Sequence, residues 1–169
     1  YSSGVFRTTD GGATWTKLGG ATIPDDVRVS SIAVGGGGTV IVATTFNRGI
    51  FRSTDSGASF TAINGNLPAP DGAGRISVYG LSIGATSAEM LASVADHGMY
   101  GTANGGTTWT ALNSGLPGVV TLAGPSRENN TTFYIGIDGS GIYRTTNSGL
   151  GWSQWFSVAG PDNPRRFSR

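Results

Sequence analysis

The sequence predicts an all-β chain built from four-stranded antiparallel blades, a segment of a β-propeller. One phrase carries that reading, because it returns four times: Gly4-Val5-Phe6-Arg7-Thr8-Thr9-Asp10, then Gly49-Ile50-Phe51-Arg52-Ser53-Thr54-Asp55, Gly98-Met99-Tyr100-Gly101-Thr102-Ala103-Asn104 and Gly141-Ile142-Tyr143-Arg144-Thr145-Thr146-Asn147. Its leading glycines lie 45, 49 and 43 residues apart, a period that suits propeller blades. Between phrases lie two short runs rich in Val, Ile and Thr and bounded by glycine, the signature of strands.

Taken in order, the chain opens on the second half of one blade, strands C and D over residues 1–18. A whole blade spans 27–63, with strand A at Val29 to Val34, the Gly35 to Gly38 turn, strand B at Val40 to Ala43, strand C from Gly49 and strand D from Phe60. The next occupies 75–112, with Ile76 to Ile83 and Met90 to Ala95 as strands A and B, and the last occupies 119–157, with Val119 to Ala123 and Thr132 to Ile137 in those roles. Residues 158–169 form a tail. The unbroken apolar character of Val40 to Ala43 and of Phe133 to Ile135 suits strands covered on both faces by neighbouring blades. About three and a half blades result, whereas closed rings hold roughly four to eight. A partial ring, or half of a seven-bladed one, exposes apolar faces and strand edges that must be covered. The expected partners are the remainder of a parent chain or a second copy. Trp155 and Phe156, beyond the repeat's own aromatic, suit that contact, as does the edge from Val5 to Leu18.

The turn between strands C and D has its own chemistry. Asp10 and Asp55 are placed to accept a hydrogen bond from the backbone two residues on, and Gly12, Gly57, Gly106 and Gly149 supply the positive φ of a tight turn. In the last two units Asn104 and Asn147 take the place of the acid, keeping the acceptor oxygen and losing the charge. A position that accepts either residue is structural. The aromatics Trp15, Phe60, Trp109 and Trp152 follow each turn and pack into the blade. No metal site is expected there.

The phrase Ser/Thr-x-Asp-x-Gly-x-Ser/Thr-Trp resembles the Asp-box, or bacterial neuraminidase repeat, of sialidases, sortilin-like receptors, photosystem assembly factors and xyloglucanase-type glycoside hydrolases. The resemblance covers all four units. In its detail the wording, with Asn113-Ser114-Gly115-Leu116-Pro117 after a strand D, looks closest to the sortilin-like and xyloglucanase-type branch. The resemblance implies a ligand on the face that carries the B-to-C turns and D-to-A connections. Candidates there are Phe46, Asn47 and Arg48 for ligand binding, Asp96 with His97, and Asp138 with Ser140, together with Asp25, Asp26 and Asp71 in D-to-A loops. A sialidase would need a tyrosine tuned by glutamate, but Glu89 and Glu128 both fall in A-to-B turns on the opposite face. A xyloglucanase-type enzyme would pair two carboxylates about 6.5–9.5 Å apart if inverting. Asp138-Gly139-Ser140-Gly141-Ile142-Tyr143-Arg144 has spacing similar to that family's catalytic turn, so Asp138 and secondarily Asp96 are the expected catalytic residues, with His97 as a possible ligand contact.

Eleven basic against ten acidic residues give no electrostatic reason to expect nucleic acid. No run of eighteen apolar residues exists to insert in a membrane, and the absence of cysteine removes thiol chemistry and disulfides. No cofactor is expected. The reading that results is a scaffold or binding module of a secreted or cell-surface bacterial protein, its signal segment not within these residues and its ligand a polysaccharide or a protein; the alternative is part of a β-glucan hydrolase.

Overall fold

The structure, a computed structural model, describes residues 4–24, 26–69, 74–118 and 124–158. A first hairpin pairs β1 (Phe6–Arg7) with β2 (Thr16–Lys17). Three four-stranded sheets follow, each an antiparallel meander in chain order. Blade II holds β3 (Val29–Gly35), β4 (Val40–Thr45), β5 (Ile50–Ser53) and β6 (Thr61–Ala62). Blade III holds β7 (Val78–Ile83), β8 (Met90–Val94), β9 (Gly98–Thr102) and β10 (Thr110–Ala111). Blade IV holds β11 (Ser126–Arg127), β12 (Phe133–Ile137), β13 (Gly141–Thr145) and β14 (Ser153–Ser157). The first hairpin is therefore the C–D half of blade I. Strand D starts one residue after each aromatic. The expected strand A at Val119 to Ala123 lies outside the described residues, and the strand that pairs with β12 is Ser126–Arg127. Of the expected tail only Val158 is described.

Every residue of β4 is buried, which is why its sequence is apolar without alternation. Three apolar clusters fill the seams between successive blades. One joins Val5 and Leu18 to Ile41, Phe51 and Phe60; a second joins Val42 and Ile50 to Leu81, Ile83 and Trp109; a third joins Leu91 and Met99 to Phe133, Tyr143 and Trp152.

Each seam is closed by the same nested contact. Leu18, Ile63 and Leu112 lean onto the glycine two residues after the Asp or Asn of the next blade's Asp-box turn, so closely that a methyl group on Gly57, Gly106 or Gly149 would sit 2.5, 2.7 or 3.1 Å from them. Those glycines also hold φ of 91, 92 and 89°, a region side chains rarely adopt. Two seams add an indole clamp: Trp109 Nε1 donates to the Ile63 carbonyl and Trp152 Nε1 to the Leu112 carbonyl, both at 2.9 Å. At the blade I–II seam Phe60 has no such donor; its backbone N–H donates to Thr22 Oγ1 at 3.0 Å, as those of Trp109 and Trp152 donate to Asn66 Oδ1 and the Ser114 carbonyl.

The Asp-box turn departs from the expected bonding. The N–H two residues on, at Gly12, Gly57, Gly106 and Gly149, goes to the hydroxyl of Thr8, Ser53, Thr102 and Thr145 at 2.8–3.1 Å. The Asp or Asn oxygen accepts from the backbone four residues on, at Thr14, Ser59, Thr108 and Gly151, at 2.9–3.0 Å. The hydroxyl sits nearer the turn's inside and takes the inner N–H, which leaves the longer acid to span the whole loop. Asp10 also accepts from Thr14 Oγ1 and Thr8 Oγ1, and Asp55 from Ser59 Oγ and Ser53 Oγ. With the hydroxyl of Thr14 or Ser59 as the leading cause, both carboxyls are held far below the ordinary carboxylate range. Asn104 and Asn147 accept at the same positions without charge.

Candidate binding face

The B-to-C turns and D-to-A connections emerge on one face, and on blade II they assemble a cluster. A clamp places its turn. Asn64, four residues after Phe60, accepts the Ile50 N–H through Oδ1 at 2.7 Å and donates to the Arg48 carbonyl at 3.1 Å. Asn113 does the same in blade III for Met99 and the His97 carbonyl, at 2.7 and 3.0 Å. The clamp explains two of the leading glycines, since a side chain on Gly49 or Gly98 would collide with Asn64 or Asn113. Sequence reading missed both asparagines, although their shared offset from the aromatic was a visible signal.

Held so, Phe46 is 39% exposed at the turn tip. The guanidinium of Arg28 lies over its ring at 5.5 Å, and Tyr79 meets it edge-on at 6.3 Å. Ser77 Oγ donates to the Phe46 carbonyl, which fixes the turn against blade III. Arg48 donates to Asp26 at 2.6 Å, and that hydrogen bond holds the Asp26 carboxyl below its ordinary range. Asn47 Oδ1 is buried without a hydrogen-bond partner among the described residues. Among the described residues the cluster presents an aromatic face and, in Arg28, a cation that pairs with no carboxylate. Arg28 and Tyr79 were not foreseen: they come from the connection before β3 and from β7, and only folding brings them to Phe46. Asp25 and Asp71 lie outside the described residues.

The other candidates are spread along the same face rather than joined. Asp96 is exposed in the blade III turn at φ 61°, one of three non-glycine residues with positive φ among the described residues. His97 donates its backbone N–H to Val94, and its Nε2 is buried with no partner among the described residues. Asp138 is exposed in the blade IV turn. Near it Ser140 Oγ and Tyr143 Oη lie 3.0 Å apart, and Gln154 donates to the Ser140 carbonyl at 2.8 Å. Arg144 does not complete that turn, since its guanidinium lies over the Tyr134 ring at 5.8 Å. No hydrogen bond or ion pair among the described residues links Asp96 to Asp138. Glu128 does find a tyrosine: Tyr134 Oη donates to it at 2.6 Å, and that hydrogen bond raises the phenol's pKa. Among the described residues no group of three or more His, Asp or Glu is placed to hold a metal ion, and no helix is long and apolar enough to cross a membrane.

These blades and their repeated turns define an Asp-box propeller segment. Residues 2–160 match the family model described as photosynthesis system II assembly factor YCF48, and the chain belongs to that family. No curated protein matches the sequence. Among solved structures the chain is similar to YCF48 from Cyanidioschyzon merolae, with 19% identity and a TM-score of 0.64 over 96% of this chain and 51% of that one. An ancestral GH74 enzyme matches at 22% identity and a TM-score of 0.67, over 95% of this chain and 22% of that one. A structure of YCF48 bound to D1 peptide matches at 13% identity and a TM-score of 0.60, over 78% and 41%. The chain thus spans between about a fifth and about half of the structures it matches, and at these identities the likeness establishes the fold.

Proposed function

We propose that this segment is part of a larger propeller whose further blades complete the ring, and that its B-to-C face binds a peptide bearing a carboxylate. The observation that carries the reading is Arg28 over Phe46: a ring backed by Tyr79 offers an apolar platform, and the guanidinium beside it offers a charge to an anion. A YCF48 structure bound to D1 peptide supports a peptide as the ligand class. Labelled D1 peptide titrated onto the protein tests it, with xyloglucan oligosaccharide as the competing ligand. Arg28→Ala and Phe46→Ala should each weaken peptide binding by about tenfold without shifting the melting temperature. Peptide binding unchanged in both variants, or oligosaccharide binding lost in both, would move the ligand to another class.

A second reading, β-glucan hydrolysis with Asp138 as acid or base, rests on the turn from Asp138 to Tyr143 and on the resemblance of its spacing to the GH74 group. Incubation of the full parent protein and its Asp138→Asn variant with β-glucan decides it. Equal turnover by both removes Asp138 from the chemistry.

A further inference from the structure

The seams also differ at the fourth residue of the phrase. The fourth residue of each phrase is Arg7, Arg52, Gly101 or Arg144. At the blade I–II seam Arg7 donates to the Ser56 carbonyl in the next Asp-box turn at 3.2 Å. Arg52 at the II–III seam reaches the Ser87 carbonyl, in the next A-to-B turn, at 3.5 Å. The III–IV seam has Gly101 instead, and Gly101 lines a cavity of about 320 Å³ together with Leu112, Glu89, Asn130, Ser148 and Leu150 among others.

Two of those lining residues are the counterparts of the arginine acceptors. The backbone bonds that tie each A-to-B turn to its own Asp-box turn, Ser56 N–H to Thr39, Gly105 N–H to Ala88 and Ser148 N–H to Thr131, set the correspondence. Ser148 stands where Ser56 stands, and Asn130, preceding Thr131, stands where Ser87 precedes Ala88. The acceptors are thus kept and the donor is gone. Glu89 adds a carboxylate to this wall. Its Oε2 accepts the Thr86 N–H at 3.1 Å, which anchors a carboxylate in the wall.

We propose that this seam binds an alkylguanidinium group, the arginine side chain of a partner peptide entering from outside the ring. Its stem would lie on Leu112 and Leu150, and its planar fork would reach Glu89 and the Ser148 and Asn130 carbonyls. This site is on the A-to-B and C-to-D face, opposite the Phe46 cluster, and does not depend on the function assigned to that cluster.

The probe is N-butylguanidinium, followed by amide chemical shifts on the labelled protein, with N-butylammonium as the equally charged control that lacks the fork. Butylguanidinium should shift the Gly101, Ser148 and Leu150 amides saturably, and butylammonium should bind several-fold more weakly. Glu89→Gln, which keeps an oxygen for the Thr86 N–H, should cost about tenfold in affinity. Gly101→Arg should fill the slot from within and abolish the shifts; because Leu112 Cδ1 would sit 2.5 Å from the new Cβ, Glu89→Gln stands as the independent test. Shifts absent at these amides, or an affinity unchanged in Glu89→Gln, would overturn the site.

Discussion

Leu81 and Ile83 on β7 occupy the same register positions as Ile32 and Val34 on β3, since Ile83 pairs with Met90 as Val34 pairs with Ile41. The first two are 6% and 8% exposed, the second two 47% and 62%. Blade II covers the former, while only the C–D half of a blade stands before the latter. The opposite end repeats the lesson. Leu112 packs against Gly149, whereas Trp155, which follows Trp152 as Leu112 follows Trp109, is 61% exposed and meets Tyr134 edge-on at 5.3 Å. A blade does not bury its own faces; its neighbours do, and these exposed apolar residues lie on faces that no whole blade covers among the described residues.

The largest effect should separate these equivalent pairs. Leu81→Ala is expected to cost about 2–5 kcal/mol in urea unfolding, and Ile32→Ala about 0.5 kcal/mol or less. Equal costs would mean that the β3 face is covered in solution, and a concentration-dependent midpoint would identify the cover as a second copy.

Next come the indole clamps. Trp109→Phe and Trp152→Phe remove one hydrogen bond each and leave a carbonyl unpaired, so each should lose about 1–3 kcal/mol. The Phe60→Trp exchange asks whether the blade I–II seam accepts a clamp it lacks; a stability gain would show that the seam geometry is general.

The smallest effect concerns pH and divides the N-terminal from the C-terminal boxes. Asp10 and Asp55 have folded-state pKa values below their unfolded ones, so the stability they contribute is present above the unfolded value near 4 and is lost as pH falls through the folded value. Asn104 and Asn147 have no such dependence. Asp10→Asn with Asp55→Asn should therefore flatten the acid limb of stability while leaving the melting temperature near neutrality little changed. An acid limb as steep as in the wild type would assign the loss to other carboxylates. Asp55→Ala, which removes the acceptor altogether, should lower the melting temperature more than Asp55→Asn does.

What was legible in the sequence was whatever repeats. The phrase, its glycines and its aromatics predicted strands C and D and the turn between them, and the apolar runs between phrases predicted strands A and B, because each blade must solve the same local problem. The partner of each Asp-box N–H was misread, since a hydroxyl two residues before the acid competes for it and only the loop's curvature decides which wins. The Arg28–Phe46–Tyr79 cluster was half legible: Phe46 stood out at its turn, but its neighbours come from elements that the period does not align. The missing arginine at Gly101 was visible as a gap in the repeat, yet a gap becomes a cavity only once the facing turn is known to lie across it.

The unequal joints also set where the molecule would part under tension. Trp109 and Trp152 act as rivets, each driven from one blade into the backbone of the blade before it, whereas Phe60 presents a smooth ring with no N–H to reach back. A chain pulled from its two ends should therefore shed the β1–β2 hairpin first, as a small separate step in the force trace, with blades II to IV giving way later and together. Phe60→Trp would merge the two events into one.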